Sequence, residues 1–97
     1  MAKEIIWSPR AAGNLEDICG YIAKNSEYYA SMVAKRILQI IETIPEFPYM
    51  GRVVPEYKDD SLREQFYKHY RIVYRIREKT IEIVAIVHGA RLLKGIS

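Results

Sequence analysis

The second half of the chain carries arginines at spacings that can grip an anion. Gly51-Arg52-Val53-Val54-Pro55-Glu56 is followed by Leu62-Arg63-Glu64, by Tyr70-Arg71-Ile72-Val73-Tyr74-Arg75-Ile76 and by His88-Gly89-Ala90-Arg91. Where arginine alternates with apolar residues, a strand turns one set toward a core and leaves the other as a row of guanidinium groups. The guanidinium fork matches carboxylate and phosphate geometry, so such a row is suited to something anionic or carboxylate-rich. Arg71 lacks an obvious acid on its own strand pair and is the better functional candidate, whereas Arg75 reads as the structural partner of Glu82. His88, at a strand end, either caps the sheet through a hydrogen bond or takes part in chemistry, and the residues favour neither. His69 reads as a turn residue.

Charge is distributed unevenly between the halves. Residues 1–48 hold five Lys/Arg against six Asp/Glu and residues 49–97 hold ten against six, so the halves carry −1 and +4 of the total of +3. That bias is too mild to announce a dedicated DNA-binding domain, and an acidic protein partner would serve equally well. The 49% apolar and 28% charged composition is that of a folded globular chain. Ninety-seven residues are expected to form one domain, residues 1–97, with a modest core.

No apolar run approaches the roughly 20 residues that a membrane span needs, so no membrane partner is expected. The start, Met1-Ala2-Lys3-Glu4, is unlike a signal peptide. A single cysteine, Cys19, cannot form an intrachain disulfide, and it falls on a helical apolar stripe where a packing role is expected. A cytoplasmic setting follows from these features. The two histidines, one cysteine and scattered acids show no metal-ligand spacing, and no glycine-rich phosphate loop is present. Neither a metal nor a cofactor is expected. Of the eight tyrosines, Tyr70 and Tyr74 are read toward the core and Tyr21 into the first helix, so most are taken as structural rather than as base-stacking platforms.

The elements that must position the arginines can be read in order. Ile5-Ile6-Trp7 is a short strand. Ser8 offers a cap and Pro9 suits the first helical position, opening a helix to about Lys24 with Ala11, Leu15, Ile18 and Ile22 on one stripe. Ser26 caps a second helix that Pro45 ends, with Ala30, Val33, Ala34, Ile37, Leu38, Ile41 and Ile44 as its apolar positions. The break is short enough for an antiparallel helical hairpin. Residues 45–61 are a long irregular connection carrying Arg52 and Glu56, and loops of that length are often functional.

From Leu62 the period becomes two. Tyr70, Ile72, Tyr74 and Ile76 point one way, and a two-residue turn at Glu78-Lys79 sets Ile81, Ile83, Ala85 and Val87 against them. The other face pairs Arg75 with Glu82 and brings His88 near Arg71, open to a partner. For the preceding strand, Leu62 and Phe66 are placed on the core face and Arg63, Gln65 and Tyr67 on the arginine face, at the cost of turning Glu64 inward. The expected architecture is α+β: an N-terminal strand, a helical hairpin, and a small, mainly antiparallel sheet ending in a three-stranded meander.

These residues together resemble the toxins of the RelE/ParE superfamily, the toxic half of type II toxin–antitoxin (plasmid stabilisation) systems. The resemblance rests on Trp7-Ser8-Pro9 with Ala11 and Leu15, Tyr21-Ile22-Ala23, Phe47-Pro48, Gly51-Arg52, Pro55-Glu56, Leu62-Arg63-Glu64, the Tyr70–Ile76 run and Val87-His88-Gly89-Ala90-Arg91. It looks closer to the ParE branch, whose members poison DNA gyrase. Lysines that help RelE-like toxins hold RNA have no counterpart in Leu62-Arg63-Glu64-Gln65-Phe66, and nothing after Arg91 is aromatic.

The resemblance implies the RelE/ParE-like fold, gyrase inhibition by binding, and neutralisation by a cognate antitoxin, with a homodimer and a toxin–antitoxin heterotetramer as the assemblies open to it. Target or antitoxin contacts are expected from Arg52, Arg63, Arg71, Arg75, His88 and Arg91. An acidic antitoxin segment is expected to lie across the helical hairpin and the arginine face. The competing implication is a RelE/YoeB-like, ribosome-dependent mRNA endoribonuclease. Attack by a ribose 2′-hydroxyl needs a base, an acid and positive charge at the phosphorane, roles that Glu56, His88, Arg71 and Arg91 could divide. A third is an inactive homologue that keeps only antitoxin binding.

Overall fold

The computed structural model describes residues 3–96, so the reading of Met1-Ala2 falls outside the described residues. Strand β1 (Glu4–Trp7) leads into helix α1 (Pro9–Ala23). Ser8 is its N-cap, its hydroxyl accepting from the Ala11 N–H at 3.0 Å, and Pro9 fills the first helical position where a missing N–H costs nothing. Ser26 repeats the device for α2 (Glu27–Thr43), accepting from the Tyr29 N–H at 3.0 Å. Pro45 follows Ile44, the C-cap of α2. The α2 stripe is narrower than expected: Ala30, Val33, Ile37, Ile41 and Ile44 are buried, but Leu38 is exposed.

After a single 3-10 turn at Pro48–Met50 come β2 (Arg52–Val53), β3 (Leu62–Tyr67), β4 (Tyr70–Ile76) and β5 (Thr80–His88). They form one five-stranded sheet in the order β1-β5-β4-β3-β2. β1 runs parallel to β5 and every other pair is antiparallel. The expected meander is therefore present and is extended at both edges, and β2 is a strand that the proline-rich connection concealed. The Glu78-Lys79 turn closes through the Arg77 N–H on the Thr80 carbonyl at 2.9 Å.

Both faces of the sheet are covered. On one, Ala11, Val33, Ile37, Ile41 and Ile44 of the helical layer pack on Ile72, Tyr74, Ile76, Ile81, Ile83 and Ile86. On the other, Val54, Leu62, Val73, Ala85, Leu93 and Ile96 form a second cluster, with Tyr57 packed against it. The residue 54–61 loop and the C-terminal segment thus do for the second face what the helices do for the first. This corrects the expectation of a greasy side facing the helices and an open cationic side. Alternation showed only that the two faces differ, whereas Val73 and Leu62 required cover of their own.

Two registers also differ from expectation. Tyr74 opposes Ile83 but Val73 opposes Ala85, so Val84 is an extra residue, a β-bulge. Beyond a bulge every side chain changes face. Ile86 therefore joins the helix-side core, Ala85 turns to the second cluster, and His88 comes opposite Tyr70 rather than beside Arg71. The α1 N-cap and one α1 side chain serve the backbone there. The Ser8 hydroxyl donates to the Val84 carbonyl at 2.9 Å, and the Asn14 side-chain oxygen accepts from the Ile86 N–H at 3.0 Å.

In β3, Arg63 opposes Tyr74 and Phe66 opposes Arg71, the reverse of the expected facing. Leu62 lies in the second cluster, and Glu64 is turned toward Arg71. The second core and the ion pair outweigh the single apolar place that Phe66 would have gained, and Phe66 is 44% exposed.

Candidate functional site

Arg71 is the second residue of β4 and, through the register just described, points into the second face, where it is only 4% exposed. Its Nε donates to Glu64 Oε1 at 2.7 Å. Its two terminal nitrogens form a fork on Glu56, Nη1 to Oε2 and Nη2 to Oε1, each at 2.8 Å. Nη1 also donates to the Arg91 carbonyl at 3.2 Å. Glu56 Oε2 accepts a further bond, from the Leu93 N–H at 2.9 Å, and Glu64 Oε2 is met by Arg52 Nε. Arg71 thereby ties four segments together: its own strand, β3 through Glu64, the loop carrying Glu56, and the C-terminal segment at 91–93.

The electrostatics follow from that geometry. The Arg71 fork, helped by the Leu93 N–H, holds the Glu56 carboxyl at about 2, below its ordinary 4.5. The two carboxylates in turn push Arg71 further from deprotonation. Both oxygens of Glu56 are occupied and the group stays ionised, an arrangement suited to fastening a loop and ill suited to accepting a proton.

The structure gathers some of the expected residues and separates others. Glu56 and Arg71 meet, and Arg91 touches them through its backbone. His88 does not join them: it opposes Tyr70 at the helix-side end of the sheet, its Nδ1 accepting from the Ala90 N–H at 3.3 Å. The four expected nuclease groups are thus divided between the two faces.

Arg63 bonds the Asp60 carboxylate at 2.6 Å and the Gly51 carbonyl at 3.0 Å while stacking on Tyr49, so it fixes the loop. Arg75 opposes Glu82 as expected and bonds Asp59 at 3.1 Å, while Glu82 also accepts from Arg77 at 2.9 Å. Asp59 is held below the usual carboxylate range, chiefly by the Ser61 hydroxyl and N–H and then by Arg75. The expected candidates whose side chains stand open are Arg52, His88 and Arg91. Cys19 is partly buried and burial pushes its thiol upward.

Sequence reasoning missed Glu64 and Gly51. The signal for Glu64 was its inward direction, since a buried carboxylate needs a cation within reach. Gly51 lies where the Tyr74 hydroxyl accepts its N–H at 3.2 Å and donates to the Pro48 carbonyl at 2.6 Å. A methyl there would run into that hydroxyl and into the Glu64 carbonyl. Tyr21 lies within α1 as expected and is 72% exposed, and Tyr28 in α2 is 77% exposed. Among the described residues, no helix is long and apolar enough to cross a membrane.

Comparisons with known proteins agree with this architecture. A family model described as the ParE toxin of the type II toxin–antitoxin system parDE matches residues 5–93. Toxin RelE2 of Caulobacter vibrioides is 31% identical over 90 residues, spanning 92% of this chain and 98% of that protein. The putative toxin Y4kP of Sinorhizobium fredii is 33% identical over 89 residues, spanning 90% and 88%. Among solved structures, a chain of the chromosomal ParDE system from P. aeruginosa superposes with a TM-score of 0.74 at 18% identity, covering 90% of this chain and 96% of that one. A chain of the YoeB dimer from Staphylococcus aureus gives 0.61 at 16% identity, covering 88% and 94%. At those identities the structural likeness is one of fold.

Proposed function

Since the chain belongs to the ParE toxin family of type II toxin–antitoxin systems, we propose that residues 1–97 act as one toxin domain that inhibits DNA gyrase by binding it. A cognate antitoxin neutralises it. The observation that favours binding over RNA cleavage is the state of Glu56. An endoribonuclease would need a general base whose pKa lies near the working pH. Glu56 sits at about 2 with both oxygens engaged by Arg71. His88, the next candidate, lies across the sheet. The cations left for a target are Arg52 and Arg91, and His88 lines a cleft with Arg91.

Purified chain is tested for inhibition of gyrase supercoiling and trapping of the cleavage complex, alongside mRNA cleavage in a translating extract. Gyrase trapping with intact mRNA upholds the reading. Cut mRNA with unaffected gyrase overturns it, and silence in both assays with retained antitoxin binding overturns it in favour of an inactive homologue.

A further inference from the structure

We propose that the end of the molecule around His88 binds single-stranded nucleic acid, one base entering a cleft between α1 and the end of β5. The side chains of this site lie outside the Glu56–Arg71–Glu64 ion-pair cluster, and it shares His88 and Arg91 with the surface left open for a target. The cleft is about 370 Å³. Its apolar lining comes from Ile18, Ile86 and Val87, and the rings of Tyr21, Tyr70 and His88 border it. Arg91 and Asp17 supply its charges.

The rings and cations continue beyond the cleft. The His88 ring meets Tyr70 edge to face, centroids 6.2 Å apart, and stacks on His69 at 6.0 Å. Lys24 Nζ lies 5.9 Å from the centre of the Tyr21 ring. Next to His69 in the β3–β4 turn, Lys68 lies 5.4 Å from the Tyr29 ring. Aromatic faces flanked by cations are what single strands need: bases stack on the rings while phosphates meet the charges.

Asp17 decides between possible occupants. A carboxylate in the cleft repels an acidic side chain or a phosphate. It accepts a hydrogen bond from an exocyclic amino group, the contact by which Asp and Glu recognise cytosine N4. A base therefore fits the cleft better than an acidic peptide does, and a base with an amino donor fits better than thymine.

The test is fluorescence anisotropy of the full chain with labelled ten-nucleotide oligo(dC) and oligo(dT), and with an oligoglutamate peptide. Saturable binding is expected, tighter for oligo(dC). With Lys24, Lys68 and Arg91 on phosphates, log affinity should fall with log salt with a slope of about −2. Loss of one stacking ring in Tyr21→Ala should weaken binding roughly 5- to 100-fold. Asp17→Ala should erase the preference for oligo(dC). Tyr49→Ala, in the loop before β2, should change nothing. Absence of saturable oligonucleotide binding, or binding that survives Tyr21→Ala and His88→Ala together, overturns the proposal. Binding of oligoglutamate in place of the oligonucleotides overturns it in favour of an acidic protein partner.

Discussion

Arg71 and Glu56, 15 residues apart in the chain, meet as a two-pronged pair with both N···O distances at 2.8 Å. The same guanidinium reaches Glu64, which is only 1% exposed, so one cation serves two carboxylates on a covered face. A residue that alternation presents as a surface ligand is a fastening of the fold.

Arg71→Ala should therefore unfold the chain readily. Removing Arg71 leaves Glu56 without a cation and Glu64 with only the exposed Arg52, and breaking a buried pair in this way costs about 3–5 kcal/mol. Urea denaturation should show a loss of that size, where an exposed target-binding arginine would leave stability within about 0.5 kcal/mol of wild type.

Acid stability should carry the signature of Glu56. Its carboxyl is at about 2 in the fold against an ordinary 4.5. Between those values the unfolded chain takes up a proton that the folded chain refuses, so the contribution is complete above about 4.5 and is lost as pH falls toward 2. Urea midpoints measured at stepped pH should fall through this window, and Glu56→Gln should flatten that part of the decline.

The same substitution separates the two functional readings. Under gyrase binding, Glu56→Gln retains inhibition of supercoiling wherever it remains folded, because the side chain has no chemical step to perform. A loss of activity of about 100-fold or more in folded protein is what a missing general base would produce.

Gly51→Ala should destabilise through crowding. The added methyl meets the Tyr74 hydroxyl and the Glu64 carbonyl, and the latter cannot move without disturbing β3. Overpacking of this kind costs about 1–3 kcal/mol, which for a chain of this size lowers Tm by roughly 5–20 °C in a calorimetric scan.

Asn14→Ala should loosen the bulge. It leaves the Ile86 N–H without the side-chain acceptor now 3.0 Å away. The cost is about 1–3 kcal/mol, with faster amide exchange at Ile86. Asn14→Asp keeps the acceptor and should behave close to wild type in the same measurements.

Much of the fold was legible in local signals. Ser8-Pro9 and Ser26 set the helix starts because a capping hydroxyl acts within its own turn. The two-residue turn at Glu78-Lys79 and the cross-strand pair of Arg75 and Glu82 followed from counting outward along alternating residues. The candidate site was less legible. Its members were named, but their grouping depended on features that leave little local trace: the Val84 bulge that sends His88 to the helix side, the reversed register of β3 that turns Glu64 toward Arg71, and the two-residue strand β2 hidden among prolines and glycine.

The sequence by itself determined the helices, the strand period, the order of elements and the family resemblance, since each depends on neighbours a few residues apart or on the run of residue types. Only the tertiary structure decided which arginine is open and which is buried. Alternation assigns side chains to two faces without saying what covers either. The cover over Arg71 comes from Glu56 and the C-terminal segment at 91–93, brought together by contacts spanning up to 37 residues. Such contacts exist only once the chain has closed on itself, and they reverse what the local pattern implies.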